Sequence, residues 1–199
     1  GKSMKTPILE TSRLWLKPLK EEDAPGAFLW TGDPKVSWYM RYETHESLED
    51  TKQWLREEEK QLDSDLLYDF GFHKKDNDEL IGSGGLTFNQ QQGIWELGCN
   101  LRRDCWNQSY GTEAAAAILS FAENTLHIHR HAKDNAASGR VLEKNGFSFV
   151  RECWDQKWSG SHRFECREYI WKSEKEEEKN SAARNEVERF YDDEYEEWD

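Results

Sequence analysis

The stretch that decides the fold runs from Ile94 to Phe147. It opens Ile94-Trp95-Glu96-Leu97-Gly98-Cys99-Asn100-Leu101, of which Trp95 to Leu101 reads as a strand. The turn Trp106-Asn107-Gln108-Ser109-Tyr110-Gly111 leads directly into a helix that starts Thr112-Glu113-Ala114-Ala115-Ala116-Ala117-Ile118-Leu119. A strand that ends in a small-residue turn at a helix start can hold phosphate. The first N–H groups of the helix have no partner inside it, and the helix dipole favours an anion there. Asn135-Ala136-Ala137-Ser138 then precedes Val141-Leu142-Glu143-Lys144-Asn145-Gly146-Phe147.

On the N-terminal side, Leu14 to Leu19 reads as a first strand closed by Pro18, and Lys20 to about Trp30 as a helix with acids in its first turn. Asp33-Pro34 starts a short helical turn toward Met40. Ser47, three residues before Asp50, has the form of a capping box that opens a helix to about Leu62, with Leu48, Trp54, Leu55 and Leu62 on one side. Leu66–His73, Leu80–Phe88 and Ile94–Leu101 read as an antiparallel meander. Gly82, Gly84 and Gly85 inside its second strand suggest a close backbone approach. After the helix at 112–124 come a short strand around Leu126-His127-Ile128-His129-Arg130-His131-Ala132, a helix at 136–145, and strands at 147–153 and about 164–172. On the short strand, His127, His129 and His131 would share one face. No further ligand spacing completes a metal site there, so a polar strand face is the preferred reading over a metal centre.

The bulk numbers bound the function. A chain of 199 residues can bury a full core in one domain. The net charge is −13, of which residues 173–199, with 12 acids and 4 bases, carry −8. An acidic body speaks against nucleic-acid binding, which needs Lys and Arg, and suits a cationic partner such as an amine. Mean hydropathy is −1.03, and no apolar run is long enough to span a membrane. The four cysteines make no C-x-x-C pair, so a reduced cytoplasmic setting is expected, with Cys99 as buried packing. The division expected is residues 1–3 as an expression remnant, 4–172 as the domain, and 173–199 as an acidic, aromatic-containing tail. That tail is either a fraying extension or a segment that docks on a partner, on a second subunit of a homodimer, or over the groove for a cationic substrate.

Together these segments resemble the GNAT N-acetyltransferases, in particular the ribosomal-protein N-terminal acetyltransferase branch (RimJ/RimL-like). Leu9 to Leu16 looks like that branch's first strand, and Glu79-Leu80-Ile81-Gly82-Ser83-Gly84-Gly85-Leu86 like its second hairpin. The resemblance implies an α+β fold: a mixed, mostly antiparallel central sheet with helices on both faces. It implies acetyl-CoA as donor and a primary amine as acceptor, a protein N-terminus or a small molecule, attacked directly. The cofactor would lie where two central strands splay, with the backbone at Asn100, Leu101 and Arg102 on pantetheine and Asn107, Gln108, Ser109, Tyr110, Gly111 and Thr112 around the pyrophosphate. By the same resemblance Asn135 bonds pantetheine, Ser138 places a hydroxyl near the sulfur, and Glu96 is the base, acting through a water. Glu96 also reads as a salt-bridged strand residue, and Asn135 and Ser138 as a helix N-cap and first-turn residue. Trp30 and Trp38 are candidates to line the substrate pocket. Glu113 is the rival acid, but a helix start lowers its pKa and makes it a poorer base.

The chain departs from the family at the turn. Trp106 replaces the usual Gln or Arg, and Asn107 and Ser109 stand where relatives carry glycine. Arg102 and Arg103 lie close enough to supply positive charge there. The strand near 126–133 is shorter than the family's. A non-catalytic acyl-CoA-binding or partner-binding relative is therefore the alternative function.

Overall fold

A computed structural model describes residues 6–38, 40–128, 132–136, 139–171 and 190–191. Two short strands, β1 (Leu9–Glu10) and β2 (Leu14–Lys17), lead into α1 (Ala24–Thr31), α2 (Pro34–Ser37) and α3 (Leu48–Lys60). Then come β3 (Leu67–Lys74), β4 (Leu80–Asn89), β5 (Ile94–Leu101), α4 (Tyr110–Asn124), β6 (Ala132–Ala136), α5 (Gly139–Lys144), β7 (Ser148–Gln156), β8 (Arg163–Trp171) and β9 (Phe190–Tyr191).

Local chemistry sets these boundaries. Asp33 caps α2 by accepting from the Lys35 N–H, with Pro34 fixing the first helical φ. Ser47 and Asp50 form the expected reciprocal box at the start of α3. The strands form one sheet in the order β1-β2-β3-β4-β5-β6-β8-β7, and β9, from the acidic tail, pairs with β8 at Cys166 and Arg167. Among the described strands only β5 and β6 run parallel.

The mostly antiparallel α+β expectation holds. The short strand, however, lies later than expected: β6 begins at Ala132, where the sequence reading ended it. The alternation in His127-Ile128-His129 imitated a strand, but His127 has a left-handed backbone (φ 57°), which breaks an extended run. His129 and His131 lie outside the described residues, as do residues 1–3 and all of the tail except 190–191.

α4 packs on one face of the sheet, where Phe121 meets Tyr68 and Phe70 edge to face at 5.5 and 6.1 Å between ring centres. α1 and α3 cover the other face. Phe70, Phe72, Leu86, Leu97 and Ile118 are fully buried between these layers. Truncating one such leucine to alanine costs about 2–5 kcal/mol through lost transfer energy and the cavity left behind. Cys99 is buried as expected. Cys153 and Cys166, cross-strand partners of β7 and β8, are joined as a disulfide, which corrects the expectation that all four cysteines stand as reduced thiols. None of the described helices is long and apolar enough to cross a membrane.

Candidate active site

Strand register places three rows of side chains on the sheet face beneath α1 and α3. Leu67, Thr87 and Glu96 form one row, Asp69, Gly85 and Gly98 the next, and Gly71, Ser83 and Asn100 the third. The middle row is bare of side chains at two of its three positions. Gly85 is demanded by the backbone, because a Cβ there would stand 1.9 Å from the Tyr68 carbonyl oxygen. Gly98 is different: a Cβ there would meet no atom within 4 Å. The missing side chains leave a cavity of about 210 Å³, walled by Trp30, Tyr42, Trp54, Glu58, Asp69 and Glu96.

Glu96 is only 5% exposed. One carboxylate oxygen accepts from Arg41 Nη1 at 3.1 Å and the other from Asn89 Nδ2 at 2.7 Å. Arg41 also reaches Asp155 at 3.0 Å, so one guanidinium bridges two acids from β5 and β7. Beside it, the Tyr42 hydroxyl donates to Asn100 Oδ1 at 2.9 Å. Burial, with Asp33 adding to it, pushes the Tyr42 pKa well above its usual value, so this hydroxyl keeps its proton. Across the cavity stand Glu58 and Asp69. Burial and the neighbouring Asp69 charge push Glu58 up to about 9, while Trp54 Nε1 donates to it at 3.2 Å. The wall sets Glu58, Asp69 and Glu96 beside Arg41, with Glu58 uncharged at neutral pH and Glu96 paired to Arg41, and adds several aromatic faces, which favour a cation.

The other half of the site lies at the far end of β5. β6 pairs with Trp95 to Gly98, and the register shifts at Leu97/Gly98, so among the described residues β5 continues through Cys99, Asn100 and Leu101 without a partner on that side. The end of this pairing is where the expected splay would open. Its donors differ from those expected. The Arg102 N–H donates to Ile81 on β4 at 2.7 Å. Since a strand's hydrogen-bonding groups alternate between neighbours, Asn100 also faces β4, and Cys99 and Leu101 face the splay. Of the three backbone positions expected for pantetheine, Leu101 alone is directed there. Its carbonyl accepts from the Trp106 indole N–H at 3.0 Å, which ties the turn to the end of β5.

In the turn, Asn107 and Ser109 both adopt left-handed geometry, with φ of 65° and 62°. They take up the conformation for which glycine is the usual residue. Ser109 is the N-cap of α4, so the first-turn N–H groups from Tyr110 to Thr112 open onto this turn. The side chains are otherwise engaged. Gln108 Nε2 donates to the Asp104 carbonyl at 3.0 Å, and Arg13 lies 4.1 Å over the Tyr110 ring. Gly111 is buried, and the Thr112 carbonyl accepts from Asn145 at 3.4 Å. Arg102 is held by Glu79 at 2.6 Å and Asp104 at 2.5 Å, and Arg103 by Asp33 at 2.9 Å. Both arginines are thus paired away from the turn at 107–112. What residues 107–112 offer an anion is therefore the backbone N–H groups at the start of α4.

Glu113 is occupied elsewhere. It accepts from the Arg13 N–H and Nε, both at 2.8 Å, and from the Thr11 hydroxyl. Burial raises its pKa, but these donors outweigh that and hold it below the usual value. Asn135 lies within β6 at the splay rather than at a helix cap, because α5 starts only at Gly139. Ser138 lies outside the described residues.

Trp30 lines the cavity, and Trp38 does not. Trp38 follows the last residue of α2 and is 53% exposed, stacked on His162 at 4.5 Å. Trp54 and Trp158 take the aromatic positions instead. Sequence reasoning also missed Arg41, Tyr42, Glu58 and Asp69, since only the packing of α3 and the 37–42 segment over the sheet brings them to Glu96.

Residues 13–148 match the family model described as acetyltransferase (GNAT) domain. The chain is 28% identical over 146 residues to YoaA of Bacillus subtilis (strain 168), named an uncharacterized N-acetyltransferase, covering 71% of this chain and 82% of that one. Among solved structures, a GNAT-family acetyltransferase from Bacillus anthracis superposes with a TM-score of 0.64 at 20% identity, over 82% of this chain and 96% of that one. The ribosomal-protein-S5-alanine acetyltransferase from Vibrio fischeri does so with a TM-score of 0.60 at 15% identity, over 82% and 93%.

Proposed function

Because the chain belongs to the GNAT acetyltransferase family, we propose that it moves an acetyl group from acetyl-CoA to a primary amine held in the cavity over Gly98. The observation that carries this reading is the junction at Gly98. There the acid-and-aromatic cavity on the sheet face meets the point where β5 parts from β6. An amine in the cavity and a thioester in the splay would meet at that residue. RimJ/RimL-like character, with a protein N-terminus as acceptor, is the finer form of the proposal. It is supported by the resemblance of the N-terminal strand and second hairpin.

Acetyl-CoA would be held by the backbone of residues 107–112 and of Leu101, with Asn135 at the splay, and supplies the activated acetyl group. The protein's own part is to place the amine and take its proton. An amine attacks only when neutral, and an α-amino group, with a reference pKa of about 7.7–8.0, needs only a modest base. Glu96 is the proton acceptor in this reading, through a water, with Arg41 and Asn89 fixing its two oxygens. Attack is direct, with no covalent intermediate on the enzyme. The proposal assigns nucleic acid and membrane no part in the reaction; its cytoplasmic setting rests on the family resemblance and no longer on the cysteines, since Cys153 and Cys166 are joined.

Calorimetric titration with acetyl-CoA, followed by thiol release in the presence of amines and peptide N-termini, tests this reading. Saturable micromolar binding with amine-dependent thiol release is expected. Absence of binding at millimolar acetyl-CoA would overturn it in favour of a non-catalytic relative.

A further inference from the structure

Lys157 is a buried cation that no step of the proposed reaction uses. It stands just beyond β7 and is 2% exposed. Its ammonium donates to three main-chain carbonyls, those of Ser37 at 2.5 Å, Met40 at 2.6 Å and Tyr42 at 2.9 Å. The next residue adds a fourth tie: the Trp158 N–H donates to the Arg41 carbonyl at 2.9 Å. Four carbonyls of the segment 37–42 therefore close on residues 157 and 158. An ammonium has three donors and no acceptor, which matches three converging carbonyls; no neutral side chain of similar length offers that set. The Phe164 ring lies 5.8 Å from Nζ on the hairpin side. The acid nearest in effect is Glu43, itself held by Ser159 and Ser161.

The same segment forms one wall of the cavity. Met40, Arg41 and Tyr42 line it. Arg41 carries the guanidinium on Glu96, and Tyr42 the hydroxyl on Asn100. Met40, Arg41 and Tyr42 lie between α2 and α3 outside regular secondary structure, so their carbonyls have no helix or sheet ladder to hold them, while the Ser37 carbonyl, at the end of α2, also accepts from the Met40 N–H at 2.9 Å.

We propose that Lys157 is a positioning residue for the acceptor site: its ammonium clamps the 37–42 segment against the end of β7, and so fixes Arg41 on Glu96 and Tyr42 on Asn100. The clamp acts on the acceptor half of the site alone. α4 and the turn at 107–112 share no hydrogen bond with it among the described residues. The functional consequence rests on the reading of the cavity as the amine site.

The test compares the intact protein with Lys157→Met, which keeps the stem and removes every donor, and Lys157→Gln, which keeps two N–H groups. Backbone hydrogen exchange, acetyl-CoA affinity by calorimetry, and steady-state kinetics with butylamine and a free-N-terminal tripeptide are the readouts. In Lys157→Met, exchange across residues 37–46 should rise by about tenfold or more while that of α4 stays put, as expected for a local opening. The amine KM should rise by a similar factor while the acetyl-CoA Kd holds within about twofold, with Lys157→Gln between. Unchanged protection of 37–46 overturns the clamp whether or not the protein turns over. Amine KM and acetyl-CoA Kd moving together overturns the positioning role and leaves a general stabilising one. A wild-type protein that acetylates no amine overturns the acceptor reading instead, and the exchange arm still decides the clamp.

Discussion

The two halves of the site are made of different materials. The turn at 107–112, proposed for the pyrophosphate, is built from backbone: Asn107 and Ser109 supply left-handed dihedrals, and the neighbouring arginines are paired elsewhere. The cavity proposed for the acceptor is built from side chains: Glu96, Arg41, Tyr42, Glu58 and Asp69 converge from four segments on a floor of glycine. A backbone site depends on which φ a residue tolerates and is nearly indifferent to its side chain. A side-chain site depends on identity and on everything that holds each group in place.

The largest effect is expected at Glu96. Glu96→Ala should lower kcat by about 10²-fold if the carboxylate is the base, with acetyl-CoA Kd changed less than about twofold. A matching loss in cofactor affinity would blur the division between the halves. On the other side, Ser109→Val forces a β-branched residue into left-handed geometry and should weaken acetyl-CoA binding by about tenfold, whereas Ser109→Gly should tighten it slightly. Equal effects of the two changes would mean that the hydroxyl, and not the dihedral, does the binding.

Glu58 gives a smaller effect with a definite sign. Its folded pKa, raised to about 9 by burial and by Asp69, exceeds the unfolded value, so between about 4.3 and 9 the folded state holds the extra proton and stability falls as pH rises. Glu58→Gln should therefore raise Tm at pH 9 and leave it unchanged at pH 4, read by thermal unfolding at both. The smallest effect is expected at Gln108, whose side chain only reaches the Asp104 carbonyl. Gln108→Ala should change acetyl-CoA affinity by less than about twofold, because an exposed carbonyl recovers its hydrogen bond from water.

What the sequence revealed follows the same division. Features written in local spacing were legible: the Ser47–Asp50 box, the meander of β3 to β5, and the turn into α4. The turn was legible even though its glycines are replaced, because Asn and Ser are residues that left-handed geometry accepts at low cost. Features that depend on distant packing were not. Trp30 and Trp38 look equally suited to a pocket in the sequence, and only the packing of the helices over the sheet brings Trp30, with Trp54 from α3, to the cavity and leaves Trp38 on the surface. Cys153 and Cys166 carry no signal in their spacing; they meet because β7 and β8 pair in that register. The strand β6 was misplaced because its sequence, Ala132-Lys133-Asp134-Asn135-Ala136, alternates less clearly than the histidine run before it.

The clasp on Glu113 has a consequence for how the chain assembles. Thr11 and Arg13 grip a carboxylate about one hundred residues further on. Contacts of such long sequence separation form slowly and add to the topological cost of folding. During synthesis the chain emerges N-terminus first. The opening strands are therefore made early and fastened late, only after α4 has left the ribosome. The fastening that completes them is the same one that anchors the start of the helix on which the turn at 107–112 is mounted.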